Sequence, residues 1–340
     1  MNSPVPSAPP LAPPSPGLLQ AEQERRKKRL TGLLSQDLPT LPNYVLDLNA
    51  LLSSASVDLK KVGKVIRSDP SLSAQVLRLC NSALFGLRRR VISIEQAAVL
   101  LGTERLRTLV LTCSLMQFAG KRVPGPQLLN FWQHSFLAGL LSERIARQVD
   151  YFEKEQAYLC GLLHDIGQLP LCILVLEEEV KKRRLPPPDW LDNLSAERDY
   201  FGMDHCKVGR WMAVAWNFMP SFVDVFEYHH SPERAEHDPY LVGIVAAADR
   251  FLMTQVLPPP GETPPSILPP AETAEEAPSA EPVLVTEPDG PDFLQVCLPQ
   301  LAESERHAVF EMLQTEFIHL LPLVQIGLAN MGPGAEDAKP

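Results

Sequence analysis

The chain has 340 residues, 45% of them hydrophobic, and a formal net charge of −10 at pH 7. This length can bury one large core or two ordinary ones, and the acidic balance argues against a general nucleic-acid or anionic-membrane surface. The six cysteines are scattered without C-x-x-C spacing, mostly among apolar residues. We therefore expect them to be small buried side chains in a reducing compartment.

The N-terminus has no basic stretch followed by an apolar core, so we expect no signal peptide. No apolar run approaches the length of a membrane span, and even residues 169–176 are followed at once by three glutamates. The sequence therefore predicts a soluble cytoplasmic protein that does not bind a membrane.

Residues 1–20 are predicted to be a disordered tail, because up to about Gly17 they are mostly Pro, Ser and Ala and cannot bury a core. Helical patterning follows this tail and continues to residue 256, with hardly any strand-like alternation. The sequence thus predicts an all-α fold, in which residues 21–256 form one helical domain built as a two-part bundle.

The N-terminal block of this domain shows clear helix boundaries. Asp69 followed by Pro70 predicts a helix start, since aspartate caps a helix and proline suits its first turn. Ser93 and Gln96 form a capping box, and the helix that they begin is expected to stop at Gly102. The apolar spacing of this block predicts two further helices, at residues 41–52 and 59–66.

A second helical block covers about residues 125–256. The segment 257–291 after it is rich in proline and acidic residues, a composition that predicts a flexible linker. Helical periodicity returns at residues 292–330, before a short tail at residues 331–340. This C-terminal helical segment either docks back onto the bundle or pairs with a partner, and the sequence leaves both open. The helices of the second block are predicted at residues 128–149, 154–163, 170–182, 205–216, 220–229 and 240–253.

Seven ionisable side chains lie at apolar helix positions of the second block, where an unpaired charge or imidazole is costly to bury. His164 and Asp165 adjoin at the end of an apolar run, where the backbone turns and both side chains can converge on one point. Imidazole nitrogen and carboxylate oxygen form a ligand set for a divalent metal. We therefore predict a shared polar centre, with or without one or two metal ions. Its members are His134, His164, Asp165, His205, His229, His230 and Asp249.

Each of these residues also has an ordinary explanation. A single buried histidine is more often a satisfied core residue than a ligand, and His205 could simply follow the N-cap Asp204. Asp249 could pair with Arg250 or with a backbone amide. For seven residues at once this explanation weakens, because five of the chain's eight histidines lie at apolar helix positions. The sequence predicts the shared centre and leaves its occupation by metal open.

The order of these residues along the chain resembles the HD superfamily of metal-dependent phosphohydrolases, and within it the HDOD (HD-related output domain) branch. The resemblance covers about residues 38–253, and the N-terminal block makes it specific to HDOD. Motifs of that block are Leu41-Pro42, Asp69-Pro70-Ser71-Leu72, Cys80-Asn81-Ser82-Ala83-Leu84-Phe85-Gly86, Ile92-Ser93-Ile94-Glu95-Gln96-Ala97-Ala98 and Leu101-Gly102. Motifs of the second block are Phe201-Gly202-Met203-Asp204-His205, Val208-Gly209 and Trp216 through Pro220.

The resemblance implies an all-α fold, with residues 125–256 as its HD-like part, and a role in bacterial signal transduction. HDOD domains are generally viewed as regulatory modules, so the resemblance implies a signalling protein as partner. Catalytic HD relatives hydrolyse nucleotides or cyclic dinucleotides at a centre that holds a divalent metal such as iron, manganese or magnesium. By position, a first ion would be held by His134, His164, Asp165 and Asp249, and Asp165 would bridge to a second ion held by His205 and His229.

Two positions depart from the pattern of the catalytic cyclic-dinucleotide relatives. Gln168 stands where they carry a lysine that meets the substrate phosphate; glutamine can contact a phosphate but supplies no charge. Asn130, one turn before His134, stands where such relatives can carry an acidic ligand. These departures favour a regulatory module that binds a protein partner. The alternatives are a metal-dependent phosphohydrolase and a sensor that binds a nucleotide without cleaving it.

Overall fold

The computed structural model describes residues 16–34, 59–87, 89–120, 125–182, 193–255, 257 and 292–329. Across these residues the regular structure is helical and no strand occurs, which confirms the predicted all-α fold. Residues 16–20, at the end of the predicted tail, already belong to a helix. The predicted helix at 41–52, the linker from residue 258 to 291 and the tail at 331–340 lie outside the described residues.

Short connections join most of the helices, as in the bundle that the sequence predicts. Two 3-10 turns, Ala83–Phe85 and Pro232–Arg234, stand between helices. In chain order the α-helices are α1 (Pro16–Gly32), α2 (Leu59–Arg67), α3 (Pro70–Cys80), α4 (Ile94–Leu101), α5 (Thr103–Gly120), α6 (Gly125–Gln148), α7 (Lys154–Leu163), α8 (Gln168–Lys182), α9 (Leu194–Phe201), α10 (His205–Ala215), α11 (Pro220–Tyr228), α12 (Pro239–Met253), α13 (Asp292–Cys297) and α14 (Glu303–Ala329).

Helix starts in the N-terminal block follow from their capping residues. The carboxylate of Asp69 accepts a hydrogen bond from the backbone N–H of Leu72 at 3.0 Å, at the start of α3. At α4, Ser93 Oγ accepts from the Gln96 N–H at 3.1 Å, while the Gln96 side chain accepts from the N–H of Ile92 at 3.0 Å. Both predicted starts are confirmed, and the second cap reaches one residue further back than a standard capping box.

The core of the second block is built on a close approach between α6 and α7. Gly139 on α6 faces the backbone of Tyr158, and Gly161 on α7 faces the carbonyl of Ala138. A β-carbon would stand 2.9 Å from the Tyr158 oxygen in the first case and 2.7 Å from the Ala138 oxygen in the second. Neither glycine can carry a side chain unless the helices move apart, so this contact sets the spacing between α6 and the end of α7.

A second close approach locks the turn between α7 and α8 against the start of α10. A β-carbon on Gly167 would overlap the carbonyl of His205 and stand 2.6 Å from the backbone nitrogen of Gly209. Helix α10 packs on α11, and α12 packs on α6, α7 and α11. The turn between α7 and α8 therefore lies against the start of α10, within a group of packed helices that also includes α6, α11 and α12.

The C-terminal helices dock back onto the second block, the first of the two arrangements that the sequence left open. Helix α13 packs so closely on α12 that a β-carbon on Gly243 would overlap the carbonyl of Cys297. Helix α14 lies along α6, where Glu316 pairs with Arg144 at 3.1 Å. It also contacts the turn Ala83–Phe85, so it touches both helical blocks.

Two helical segments are long and apolar enough to cross a membrane, which corrects the expectation that no apolar run approaches that length. The segment Lys154–Leu176 is 94% buried inside the protein, so its apolar side chains belong to the core. The segment Glu303–Ala329 is 39% buried. The first segment is not one continuous apolar run in the sequence, because His164 and Asp165 interrupt it.

All six cysteines are free and buried, as predicted. Most lie among apolar side chains of the core, which suits a small and weakly polar residue. Cys206 differs from the others because its neighbour in the chain is the polar His205, at the start of α10.

Asp224 fixes the connection between α11 and α12. One of its carboxylate oxygens accepts backbone hydrogen bonds from Glu236 at 2.8 Å and His237 at 2.6 Å, and the other lies 3.1 Å from His237 Nδ1. Burial acts to raise the pKa of Asp224, but these hydrogen bonds outweigh it and hold the pKa below its usual value. The ionised carboxylate therefore stabilises the folded state.

We expect Asp224→Ala to lower the free energy of unfolding by about 1–3 kcal/mol near neutral pH, because charge-assisted hydrogen bonds are lost. The folded pKa lies below the unfolded one, so the stabilisation is complete above the unfolded pKa of about 3.9 and is lost as the pH falls through the folded pKa. Urea unfolding of both proteins from pH 7 down to pH 3 measures this. A difference that stays constant over that range would contradict the assignment.

Candidate metal centre

All seven predicted side chains converge where the helices of the second block meet. His134 projects from α6, and His164 with Asp165 follows α7. His205 is the first residue of α10, His229 with His230 follows α11, and Asp249 lies on α12. Their donor atoms form two groups that share Asp165.

The first group, called the first position, consists of His134 Nε2, His164 Nε2, Asp165 Oδ2 and Asp249 Oδ1. The two nitrogens are 3.4 Å apart. Asp249 Oδ1 is 3.2 Å from His134 Nε2 and 3.4 Å from His164 Nε2. Asp165 Oδ2 is 3.6 Å and 3.2 Å from the same two nitrogens.

The second group, called the second position, consists of Nε2 of His205, His229 and His230 together with Asp165 Oδ1. His205 Nε2 is 3.3 Å from His229 Nε2 and 3.2 Å from His230 Nε2. Asp165 Oδ1 is 3.3 Å from the nitrogens of both His205 and His229. The two oxygens of Asp165 therefore face different positions, as the resemblance implied.

The outer nitrogens of three rings are held by hydrogen bonds that fix the rings. His164 Nδ1 donates to the carbonyl of Gly161 at 2.7 Å, and His229 Nδ1 donates to the carbonyl of Val225 at 3.0 Å. Because a carbonyl only accepts, each Nδ1 carries a proton and each Nε2 faces the centre. This is the arrangement of metal-binding histidines, whose outer N–H is oriented by an acceptor.

His205 is oriented by Glu197, which the sequence analysis missed. The carboxylate of Glu197 is fully buried on α9 and lies 2.9 Å from His205 Nδ1 through both oxygens. It also accepts the backbone N–H of His205 at 2.7 Å. The sequence signal that could have found it is helical spacing. Glu197 stands four residues before the apolar Phe201, so both lie on the same, buried side of a short helix.

The ionisation of the centre is set by competition between burial and charge. Burial acts to lower the pKa of His164, but the charge and hydrogen bond of Asp165 outweigh it and raise that pKa well above its usual value. Burial likewise acts to lower the pKa of His205, and hydrogen bonds with Cys206 and Glu197 raise it well above. Burial acts to raise the pKa of Asp165, yet the charge of His164 holds it well below its usual range.

The pKa values of Asp249, His229 and His230 are also shifted by burial and by neighbouring groups. Burial acts to raise the pKa of Asp249, and the hydrogen bond from His134 holds it well below its usual value. Burial lowers the pKa of His229, and burial with the charge of His229 lowers that of His230 to about 3. The centre therefore offers two ionised carboxylates and at least two neutral imidazoles, which are the forms that bind metal.

The donor atoms fit a divalent ion at each position. Two donors at about 2.1 Å from a shared ion lie about 3.0–3.4 Å apart at octahedral or tetrahedral angles, and the spacings above are close to this range. Asp165 Oδ1 and Asp249 Oδ2 are buried and have no hydrogen-bond partner among the described residues. Oxygens that lie near imidazole nitrogens without accepting a hydrogen bond point to a shared ion between them. The His/Asp groups could hold metal.

Access to the centre is narrow. Five of the seven side chains are buried, while those of His134 and His230 are 17% and 20% exposed. Arg250 reaches this edge, with its guanidinium 3.5 Å from the carbonyl of His230. A ligand would meet the centre from the side of these three residues.

The two departures from the catalytic pattern lie in different surroundings. Gln168 is the first residue of α8 and is buried, and its backbone N–H donates to the carbonyl of Asp165 at 2.8 Å. Asn130 is exposed on α6, one turn before His134. Gln168 is therefore buried directly after the turn of the centre, and Asn130 is exposed on the helix that carries His134.

Comparison with known proteins points to one family. A family model described as HDOD domain matches residues 38–232. A protein of Treponema pallidum (strain Nichols), named only as uncharacterized, is 26% identical over 240 residues, which are 67% of this chain and 44% of that protein. The chain thus spans less than half the length of this relative.

Solved structures share the fold at low sequence identity. An HDOD domain protein of unknown function from Geobacter sulfurreducens has a TM-score of 0.62 at 21% identity, over 93% of this chain and 99% of its own. A protein of Shewanella amazonensis SB2B, provisionally named a phosphohydrolase, has a TM-score of 0.56 at 22% identity, over 89% of this chain and 97% of its own. A Marinobacter aquaeolei VT8 protein, provisionally named a signal transduction protein, has a TM-score of 0.60 at 18% identity, over 93% of this chain and 66% of its own.

We expect Asp165→Ala to lower the thermal stability of the protein and to abolish its response to a chelator. The change removes a donor shared by both positions and leaves buried imidazoles without their acceptor, at about 1–3 kcal/mol for an unsatisfied group. The parent should lose stability when EDTA is added, because an ion that binds only the folded state stabilises it. Melting curves with and without EDTA test this.

Asp199→Ala is the matched control, since it removes an exposed carboxylate from α9. This variant should melt like the parent under both conditions. A parent that does not respond to EDTA would mean that the centre holds no metal. An Asp165→Ala variant as stable as the parent in both conditions would contradict the central role of this carboxylate.

Proposed function

The chain belongs to the HDOD domain family, and on that premise we propose that it is a signal-transduction module that binds an acidic protein partner through its N-terminal helices. The observation that carries this proposal is a cleft of about 730 Å³ beside the end of α3. Three arginines line it, Arg78, Arg89 and Arg90, among the apolar side chains of Leu77, Leu87, Val91 and Ile92. We call it the arginine cleft.

The positive charge of the arginine cleft is not neutralised within the described part of the chain. No carboxylate there forms an ion pair with Arg78, Arg89 or Arg90. The protein as a whole carries a net charge of −10, so this cleft stands out against an acidic surface. Complementary charge steers association and selects partners, so a segment rich in carboxylates fits this cleft.

Apolar side chains beside the arginine cleft favour a protein segment over a small anion. Ile92 is 78% exposed at its rim. On α4, which begins two residues later, Val99 is 74% exposed and Leu100 50%. Large exposed apolar side chains near a polar cleft are a feature of protein-binding surfaces. The proposed partner therefore presents both carboxylates and apolar side chains.

The backbone of Val91, directly after Arg89 and Arg90, is anchored to the end of α3. The side chain of Asn81 donates to the carbonyl of Val91 at 2.8 Å and accepts from its N–H at 2.7 Å. A binding loop that is already ordered loses less conformational entropy when a partner docks. This supports a preformed surface rather than one that folds on contact.

We propose that the His/Asp centre serves mainly as a metal-holding crosslink inside the module. Its imidazole majority favours iron or manganese over magnesium, which prefers oxygen ligands. Each ion would join side chains from several helices, and of the seven side chains those of His134 and His230 reach solvent. Gln168 supplies no charge for a substrate phosphate.

We expect Arg90→Glu to weaken the partner complex at least tenfold, which corresponds to about 1.4 kcal/mol. The change reverses the charge of an exposed arginine in the arginine cleft. The partner is isolated on the immobilised full-length chain, purified, and titrated calorimetrically at low and high salt. Binding should also weaken with salt, because the proposed contacts are between charges.

Lys28→Glu is the matched control, because it makes the same change in net charge at an exposed position on α1, away from the arginine cleft. It should bind the purified partner as the parent does. A partner that binds Arg90→Glu as tightly as the parent, or without dependence on salt, would place the interface elsewhere.

A second candidate function is metal-dependent phosphohydrolysis, favoured by the complete donor set and by Arg250 at its accessible edge. A bound divalent ion polarises a phosphoryl oxygen and lowers the pKa of its water. His134, His164, Asp165 and Asp249 would hold that ion, and Arg250 would contact a phosphate that enters beside His230. At position 168, where the catalytic relatives carry a lysine, Gln168 supplies no positive charge to that phosphate.

We expect the native protein to hydrolyse nucleotides and cyclic dinucleotides no faster than a His164→Ala variant. The transition state of such a reaction depends on fixed positive charge, which Gln168 does not supply. A substrate panel assayed with manganese, iron or magnesium measures this, with circular dichroism as a control for folding. Metal-dependent turnover that disappears in His164→Ala would make the chain an enzyme.

A further inference from the structure

Cys206 is placed among the donors of the second position. It is the second residue of α10, directly after His205, and its side chain is buried. Its sulfur lies within 4.8 Å of donor nitrogens of His205, His229 and His230. Within the described residues, none of the other five cysteines belongs to such a group.

An independent observation marks the second position as a cation site. Asp165 Oδ1 is buried, lies 3.3 Å from two imidazole nitrogens, and yet accepts no hydrogen bond. A carboxylate oxygen without a partner is costly in a protein interior. A cation between this oxygen and the nitrogens removes that cost, whatever the cysteine does.

We propose that Cys206 is a thiolate ligand of the ion at the second position, an inference that rests on the proposed metal centre. On binding, the S–H bond breaks, a bond forms between sulfur and the ion, and the proton leaves to solvent. No electron is transferred in this step. The donor set then consists of three imidazoles, one thiolate and one oxygen of Asp165.

The thiolate makes the two positions chemically different. The first position has two imidazoles and two carboxylate oxygens, a set that suits manganese or iron. The second position has a soft sulfur donor and few oxygens, a set that suits zinc, cobalt or iron(II) over magnesium and manganese. The centre would therefore hold two different metals when both kinds are present.

Cobalt(II) tests the inference, because a thiolate bound to cobalt gives a charge-transfer absorption in the near ultraviolet that nitrogen and oxygen ligands do not give. The full-length protein is loaded with cobalt, and metal content is measured in parallel. We expect the band in the parent and its loss in Cys206→Ser. Zinc affinity at the second position should fall by at least about tenfold in that variant.

Cys172→Ser is the matched control, since this cysteine of α8 is buried outside both donor groups. It should keep the band. X-ray absorption of the zinc-loaded parent gives a measurement that needs no variant: a sulfur neighbour at about 2.3 Å is expected. This keeps the test decisive if Cys206→Ser does not fold.

The outcomes separate this inference from the proposed metal centre. Two cobalt ions per chain without the band, or zinc without a sulfur neighbour, would overturn the role of Cys206 and leave the centre standing. A parent that binds no ion would overturn both. A band that persists in Cys206→Ser and disappears in Cys172→Ser would also overturn the assignment.

Discussion

The buried carboxylate of Asp165 is the constraint on which the second block depends. Its two oxygens face imidazole nitrogens on opposite sides, each at 3.2–3.6 Å. Taking a carboxylate out of water costs several kcal/mol, so the fold is stable only if positive charge stands on both sides. That charge is carried by His134 on α6, by His205 on α10 and by His164 in the turn after α7, whose pKa values are all raised. The relative positions of these helices are therefore fixed by one side chain.

Helix spacing around this carboxylate is set by residues that have no side chain. Gly161 lets α7 approach α6, and Gly167 lets the turn that carries Asp165 touch the backbone of α10. A methyl group at either position would push apart the elements whose donor atoms must lie about 3.3 Å from each other. The sequence Gly161-Leu-Leu-His164-Asp165-Ile-Gly167 thus combines ligands with the close contacts that place them. The same seven residues therefore supply two of the donor side chains and the close contacts that place them.

The extent to which the sequence predicted this site follows from the same physics. The members of the centre were recognisable because each is a polar residue at an apolar helix position. Burying such a residue is costly unless it has a partner. Glu197 and Cys206 were not recognisable, because their roles depend on neighbours from other helices: Glu197 orients His205 across the gap between α9 and α10. Docking of the C-terminal helices was open for a similar reason, since an amphipathic helix shows that it packs but not on what. The sequence does not show why residue 243 must be glycine; the structure does, because the carbonyl of Cys297 on α13 occupies the space of a side chain there.

The His/Asp centre and the arginine cleft lie in different blocks, which contact each other at several places. Arg105 on α5 pairs with Glu143 on α6 at 2.7 Å. Helix α14 lies along α6, which carries His134, and meets Leu84 in the turn that leads into the loop of the arginine cleft. Close-packed helices move as rigid bodies rather than deform continuously. Helix α14 is therefore a packed link between α6 and the turn that precedes the loop of the arginine cleft, and the C-terminal helices belong to the fold of both blocks.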